Sequence, residues 1–317
     1  MNIKRDIFKN VLELVKEDKK NVFYLLYYSA IEAILVLAIP LASVFIINSV
    51  LAHSSISVFV LGLIVVTVFT LVTVLQVIKE YIVEKLQQKI FVRSGIKISK
   101  MAITLQKATS ETKHSMDKLM NYFFDITSIQ KVFPVILLDG TGLIIKIVVS
   151  LLLLLTFNFY LFAVGLFFFM IFFIVVIWLG RNGIGYALAR SNAKHSSIYY
   201  LQNIPYNEKE PQEILEDIDK HLNTFVDSRI DMFRITIKQL GFTFIMEGVI
   251  FSAFLIIGGY LVINGVLPLG EFIAAEIIVV SIANALKGFV KQIDYIYDII
   301  EGLYKVHKLS LTLSEKQ

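Results

Sequence analysis

The chain has 317 residues, 56% of them hydrophobic and 18% charged, with mean hydropathy +0.73 and net charge +4. A single water-soluble core of this size cannot bury so much apolar surface. Five prolines, 16 glycines and no cysteine exclude collagen-like, low-complexity and disulfide-stapled chains. The absence of cysteine also removes thiolate metal sites, and so mild a positive charge does not argue for nucleic acid.

In chain order, residues 1–20 set Ile3, Ile7, Val11 and Leu14 at helical spacing among lysines. That pattern suits a helix lying in a membrane interface, a solvated helix being the other reading. Six stretches then reach the roughly 20 apolar residues that a spanning helix needs. They are Val22–Ile47, Ile56–Ile78, Val132–Leu155, Phe159–Leu179, Leu240–Ile263 and Phe272–Val290. The run from Ile147 to Gly180 carries no charge and is too long for one crossing, so it folds back at Thr156-Phe157-Asn158. The Phe-rich fourth span reads as lipid- and helix-facing bulk, with aromatic recognition of a hydrophobic cargo as the alternative.

The basic residues sort to one side. Lys4, Arg5, Lys9, Lys16, Lys19 and Lys20 precede the first span. Ten Lys and Arg lie in 79–131, eight in 181–239 and four from Lys291 onward. Asn48–Ser55, 156–158 and 264–271 have none. The positive-inside rule makes the basic side cytoplasmic, with both termini inside. The long segments 79–131 and 181–239 carry narrow apolar stripes: Ile82, Leu86, Ile90, Ile98, Ala102 and Leu105 in one, Ile214, Ile218, Leu222, Phe225, Phe233 and Ile237 in the other. Such stripes suit helices packed on helices in water. The spans are therefore expected to continue as stalks, turning at Thr109–Lys118 and at Gln202–Pro211, where Pro205 and Pro211 break a helix.

Three stretches carry a resemblance. Gly258–Ala275 reads G-G-Y-L-V-I-N-G-V-L-P-L-G-E-F-I-A-A. Asn121-Tyr122-Phe123-Phe124-Asp125-Ile126 is followed by Ile129-Gln130, and Asp294–Leu313 forms a polar-apolar tail. In this order they resemble the transmembrane domain of a type I ABC exporter, over nearly the whole chain. That resemblance implies an all-α polytopic fold with six spans (21–300), cytoplasmic helical extensions, two short coupling helices and a linker (301–317) toward an ATPase domain. It also implies a bacterial inner-membrane location, a second copy or homologous half-transporter as partner, and spans four and five crossing to that partner. No G-x-x-x-x-G-K-(S/T) occurs. ATP and Mg are thus expected only on a separate or excised ATPase.

Coupling to that ATPase is assigned by the resemblance to Lys113, Met116, Asp117, Lys118 and Asn121 at the first tip. At the second it is assigned to Tyr200, Gln202, Asn203, Pro205 and Tyr206. The sequence departs from the family at both. Met116 and Asn121 stand where Gly and Arg are common, and the second tip lacks the usual acidic-Gly and Val-Lys pairs.

Ionisable residues within spans are costly and point to function. Here they are Glu32, Asp139, Lys146, Glu247, Glu276 and Lys287. Glu32, Lys146, Glu247 and Glu276 are expected either to line a translocation cavity or to form intramembrane ion pairs. Glu32 and Glu247 match Lys146 in depth. The five histidines are scattered without ligand spacing, and no metal site is expected. A scaffold or sensor docking a cytoplasmic partner, and a passive channel, are the alternatives to transport.

Overall fold

Inside hydrocarbon a peptide group has no water to bond, so the chain satisfies its backbone within helices. The computed structural model describes residues 16, 18–53, 58–106 and 129–314, with backbone alone for 58, 101, 102, 104–106 and 305–314. Among these residues there is no strand, and six helical stretches are long and apolar enough to cross a membrane. The chain is an all-helical integral membrane protein.

The first span is bent rather than single. Helix α1 (Lys19–Val36) gives way at Leu37 to α2 (Ala38–Leu51). Pro40 explains the bend: it has no N–H for the Val36 carbonyl, and its ring crowds that turn. Helix α3 (Val58–Gln106) runs for 49 residues without a break. At about 1.5 Å per residue it is roughly 73 Å long, against about 30 Å of hydrocarbon. The third span starts as a π-helical stretch, Val132–Gly140, and continues as α4 (Thr141–Phe157). Asn158 turns the chain with an extended backbone. Its side-chain oxygen accepts a hydrogen bond from the Tyr160 amide at 2.8 Å, capping α5 (Phe159–Leu179).

A short turn at Gly180–Asn182 leads into α6 (Gly183–Asn203). After Ile204–Tyr206, α7 (Pro211–Ile263) returns through 53 residues, roughly 80 Å. Helices α5 and α6 together lie against α7. The α7 end turns through Gly265, whose φ of +69° favours glycine, into α8 (Leu269–Lys291). Gly258 leaves room for the Phe272 ring at that hairpin. Helix α9 (Ile293–Ser314) follows and packs on α6.

Two apolar cores hold these helices. One gathers Leu154, Leu161, Phe254, Ile278 and Ile282 from α4, α5, α7 and α8. The other, toward the basic side, joins Leu25 of α1, Leu86 of α3, Phe133 of the π stretch and Ile299 of α9. By contrast Phe59, Leu63, Val66 and Phe69 on the spanning part of α3 face outward.

Three expectations meet a different outcome or no test. The second stalk tip has a single 3₁₀ turn, Ile204–Tyr206, in place of a coupling helix. Pro205 and Pro211 interrupt helix there, and Asn203 Nδ2 donates to the Tyr199 carbonyl at 2.7 Å to close the last turn of α6. The first tip, with Lys113, Met116, Asp117, Lys118 and Asn121, lies outside the described residues, as does most of 1–20.

Glycines at the α5–α6 turn give a sharp test. A Cβ on Gly183 would overlap the Tyr297 ring, whereas one on Gly185 meets nothing within 4 Å. Gly183→Ala is expected to cost about 1–3 kcal/mol by overpacking. Gly185→Ala should be neutral or stabilising by up to about 1 kcal/mol, as helix propensity dictates. Thermal unfolding of the two variants in nanodiscs separates these outcomes.

Candidate functional site

A polar cavity of about 660 Å³ lies between α1, α3, the start of the third span and the basic-side end of α8. Its charges come from Glu32, Lys79, Glu80, Asp139 and Lys146, with Ser29, Gln76 and Gln292 beside them. Local sequence explains the arrangement. Asp139, Gly142, Leu143 and Lys146 follow helical spacing, so they share one face. Ser29, Glu32, Ala33 and Val36 do the same on α1, and Gln76, Lys79 and Glu80 on α3. Glycines at 142 and 288 keep the walls low.

Within the cavity Glu32 is fully engaged. One carboxylate oxygen accepts from Gln76 Nε2 at 2.8 Å and the other pairs with Lys79. The Lys79 side chain is only 8% exposed. In such surroundings an ammonium is tolerable only with a carboxylate against it. The expectation that Lys146 takes Glu32 or Glu247 as its direct partner is therefore corrected. Lys146 faces Glu32 across the same cavity, but makes no hydrogen bond or ion pair among the described residues. Ser29 Oγ, on the same wall, is buried and unbonded.

Glu247 lies elsewhere. It pairs at 2.7 Å with Lys287, joining α7 to α8. Glu276 stands on α8 with both carboxylate oxygens buried and unbonded. The cavity thus unites Glu32 and Lys146, and leaves Glu247 and Glu276 outside it. Lys79, Gln76, Ser29 and Gln292 are its unanticipated members. The sequence places Lys79 at the start of the first stalk, outside the spans. The available signal was the spacing of Gln76 and Lys79, which puts both on one face of the basic-side end of span two.

At the second tip, Tyr206 is 71% exposed. Tyr200 instead folds back on α7: its hydroxyl donates to the Ile214 carbonyl at 3.4 Å, and its ring lies 5.0 Å from that of His221. Between this tip and the bilayer, α9 is locked to α6. Arg190 bonds Asp294 at 3.1 Å and also pairs with Asp298, while Glu301 lies 3.9 Å from Arg190 and 3.7 Å from Lys194. The acids at 294, 298 and 301 share one face of α9 by helical spacing. Tyr297 fills the space that Gly180 and Gly183 leave open, its hydroxyl donating to the Gly180 carbonyl at 3.4 Å. Burial raises the Asp298 carboxyl above its ordinary range, against the pull of Arg190.

Among the described residues no three His, Asp or Glu side chains gather as metal ligands. Compared with known proteins, the chain matches no family model, and no curated protein matches it significantly.

Glu32→Gln strands the Lys79 ammonium and is expected to lower stability by about 3–5 kcal/mol, whereas Glu32→Gln combined with Lys79→Met should recover much of the loss. Chemical or thermal unfolding of the single and double variants measures this. The raised Asp298 group favours the folded state most at pH below the ordinary carboxylate value of about 3.9. That contribution falls as pH rises through its higher folded-state value. Asp298→Asn is expected to flatten that part of the stability–pH curve.

Proposed function

We propose that this chain is the membrane-spanning half of an ATP-driven exporter of the type I ABC kind. It works as a dimer, with its basic side in the cytoplasm and an ATPase domain or subunit engaging the stalk tips. The observation that carries the reading is the length of α3 and α7. Each runs unbroken from the bilayer to roughly 40 Å beyond it. A rigid helix of that reach transmits displacement at its far end into the membrane, a use that a passive pore lacks. The polar cavity at the inner ends of the spans supplies a place for cargo.

Pairing with a second copy is supported by what the stalks leave uncovered. Outside the bilayer, Val92, Ile96 and Ile103 on α3 are exposed, as are Leu222, Val226, Ile230 and Phe233 on α7. Unpaired apolar stripes in water call for a partner. Lys85, Lys89, Arg93, Lys97 and Lys100 make the α3 stalk basic, and Glu213, Glu216, Asp217 and Asp219 make the far end of α7 acidic. The two arms are therefore complementary across a dimer.

The alternative is a non-transporting scaffold that docks a cytoplasmic partner. The tight 3₁₀ turn at the second tip favours it, because a three-residue turn offers little surface for an ATPase groove. ATP-dependent flux in proteoliposomes with a supplied ATPase separates the two.

The chain has no native cysteine, so Tyr206→Cys gives a clean reporter. An impermeant maleimide is expected to leave it unlabelled in intact cells and to label it after permeabilisation. With the ATPase present it should crosslink to that protein. Labelling from outside would overturn the orientation and the proposal with it.

A further inference from the structure

The cavity between α1, α3, α4 and α8 holds more hydrogen-bond donors than its own acceptors use. Glu32 is spent on Lys79 and Gln76. One donor then remains for a ligand: the Lys146 ammonium, which lines the cavity without a bonded partner. The Ser29 hydroxyl on the same wall is unbonded but shut off from the open space. A lone ammonium at this depth is costly, and a hydroxyl shut away without an acceptor adds to the cost.

The carboxylates Asp139 and Glu80 do not fill this need. On the third span Asp139 stands two turns nearer the basic side than Lys146, beside Lys79 and Gln292. Glu80 is exposed at the rim. In a helix the Cα–Cβ bond tilts toward the N-terminus. On α4 that direction is the basic side, so the Lys146 stem leads its charge into the cavity. Around these polar groups the walls are apolar: Ala33, Val36, Val77, Leu138, Leu143 and Phe289.

We infer that the cavity binds an amphiphile with a single anionic head, a carboxylate or a phosphate, held by Lys146 while its apolar body lies on α1, α3 and α8. A cation finds its best acceptor, Glu32, already paired. A neutral apolar molecule leaves the ammonium unmet. As a statement about cargo this rests on the export reading; as a statement about binding it needs neither ATPase nor transport.

The test is saturable binding to the full chain in nanodiscs of zwitterionic lipid, with empty nanodiscs subtracted. Octanoate and octyl phosphate are compared with octanol and octylammonium. The two anions are expected to bind, with octanol and octylammonium weaker by about tenfold or more. Lys146→Gln should lose that factor for the anions alone, and Lys146→Arg should keep most of it. Equal binding of all four probes, or anion binding unchanged in Lys146→Gln, overturns the inference. If Lys146→Gln weakens every probe, Lys146→Arg decides: restored anion preference supports the site and its absence overturns it. Competition by added phosphatidylglycerol identifies a membrane lipid as the source of the head group, and anion binding without such competition identifies a cargo from water. Failure of flux with intact anion preference would sink the export reading alone, and the converse would sink this site alone.

Discussion

Every long helix in this protein answers one constraint: a peptide group in hydrocarbon must find its hydrogen-bond partner within its own segment. That requirement forbids irregular chain at membrane depth and forces the turns to the surfaces. It also explains how the chain bends. At Leu37 the amide bonds the Ile34 carbonyl, Pro40 has no amide to offer, and α2 resumes at once. At Asn158 the break is complete but capped, since the side-chain oxygen accepts from the Tyr160 N–H in the first turn of α5. Helix then persists past the bilayer on α3 and α7, where water would permit other structures. There Leu86 and Ile90 on α3, and Met232 and Ile235 on α7, are buried and keep it in place.

Charge inside the bundle is governed by the same scarcity of water. Glu32 with Lys79, and Glu247 with Lys287, each tie one helix to another, because neither partner is tolerable alone. The first pair closes one wall of the cavity and leaves Lys146 facing it without a bond of its own. The second links α7 to α8 away from that cavity. Two pairs of the same chemistry thus do different things, and their position among the helices decides which.

Nearer the basic side, the α9 contacts connect parts of the chain that are distant in sequence. Tyr297 is seated against Gly180 and Gly183, where the fourth span turns into its stalk, and the acids of the same helix grip Arg190 and Lys194 on that stalk. Through Ile299 and Leu303, α9 also packs in the core that holds Leu86 of the other stalk. Helix α9 therefore touches the α6 stalk directly and shares a core with the α3 stalk. Its apolar contacts set the fit, and its ion pairs, partly open to water, set the register.

Sequence alone determined the features that depend on neighbours along the chain. Phe159–Leu179 was bounded by the length of hydrocarbon and by Asn158, and the second tip by Pro205 and Pro211. The sorting of Lys and Arg between loops was equally legible, because charge counts need no coordinates. Pro40 was visible too, yet its bend was not read, since an apolar stretch long enough to span conceals a kink. Only the tertiary structure decided which side chains meet. Glu32 and Lys79 are separated by nearly fifty positions, as are Gly183 and Tyr297 by more than a hundred, and periodicity gives each helix a face but not the rotation that aims it. Packing sets that rotation through the summed contacts of all the helices, which no local stretch of sequence contains.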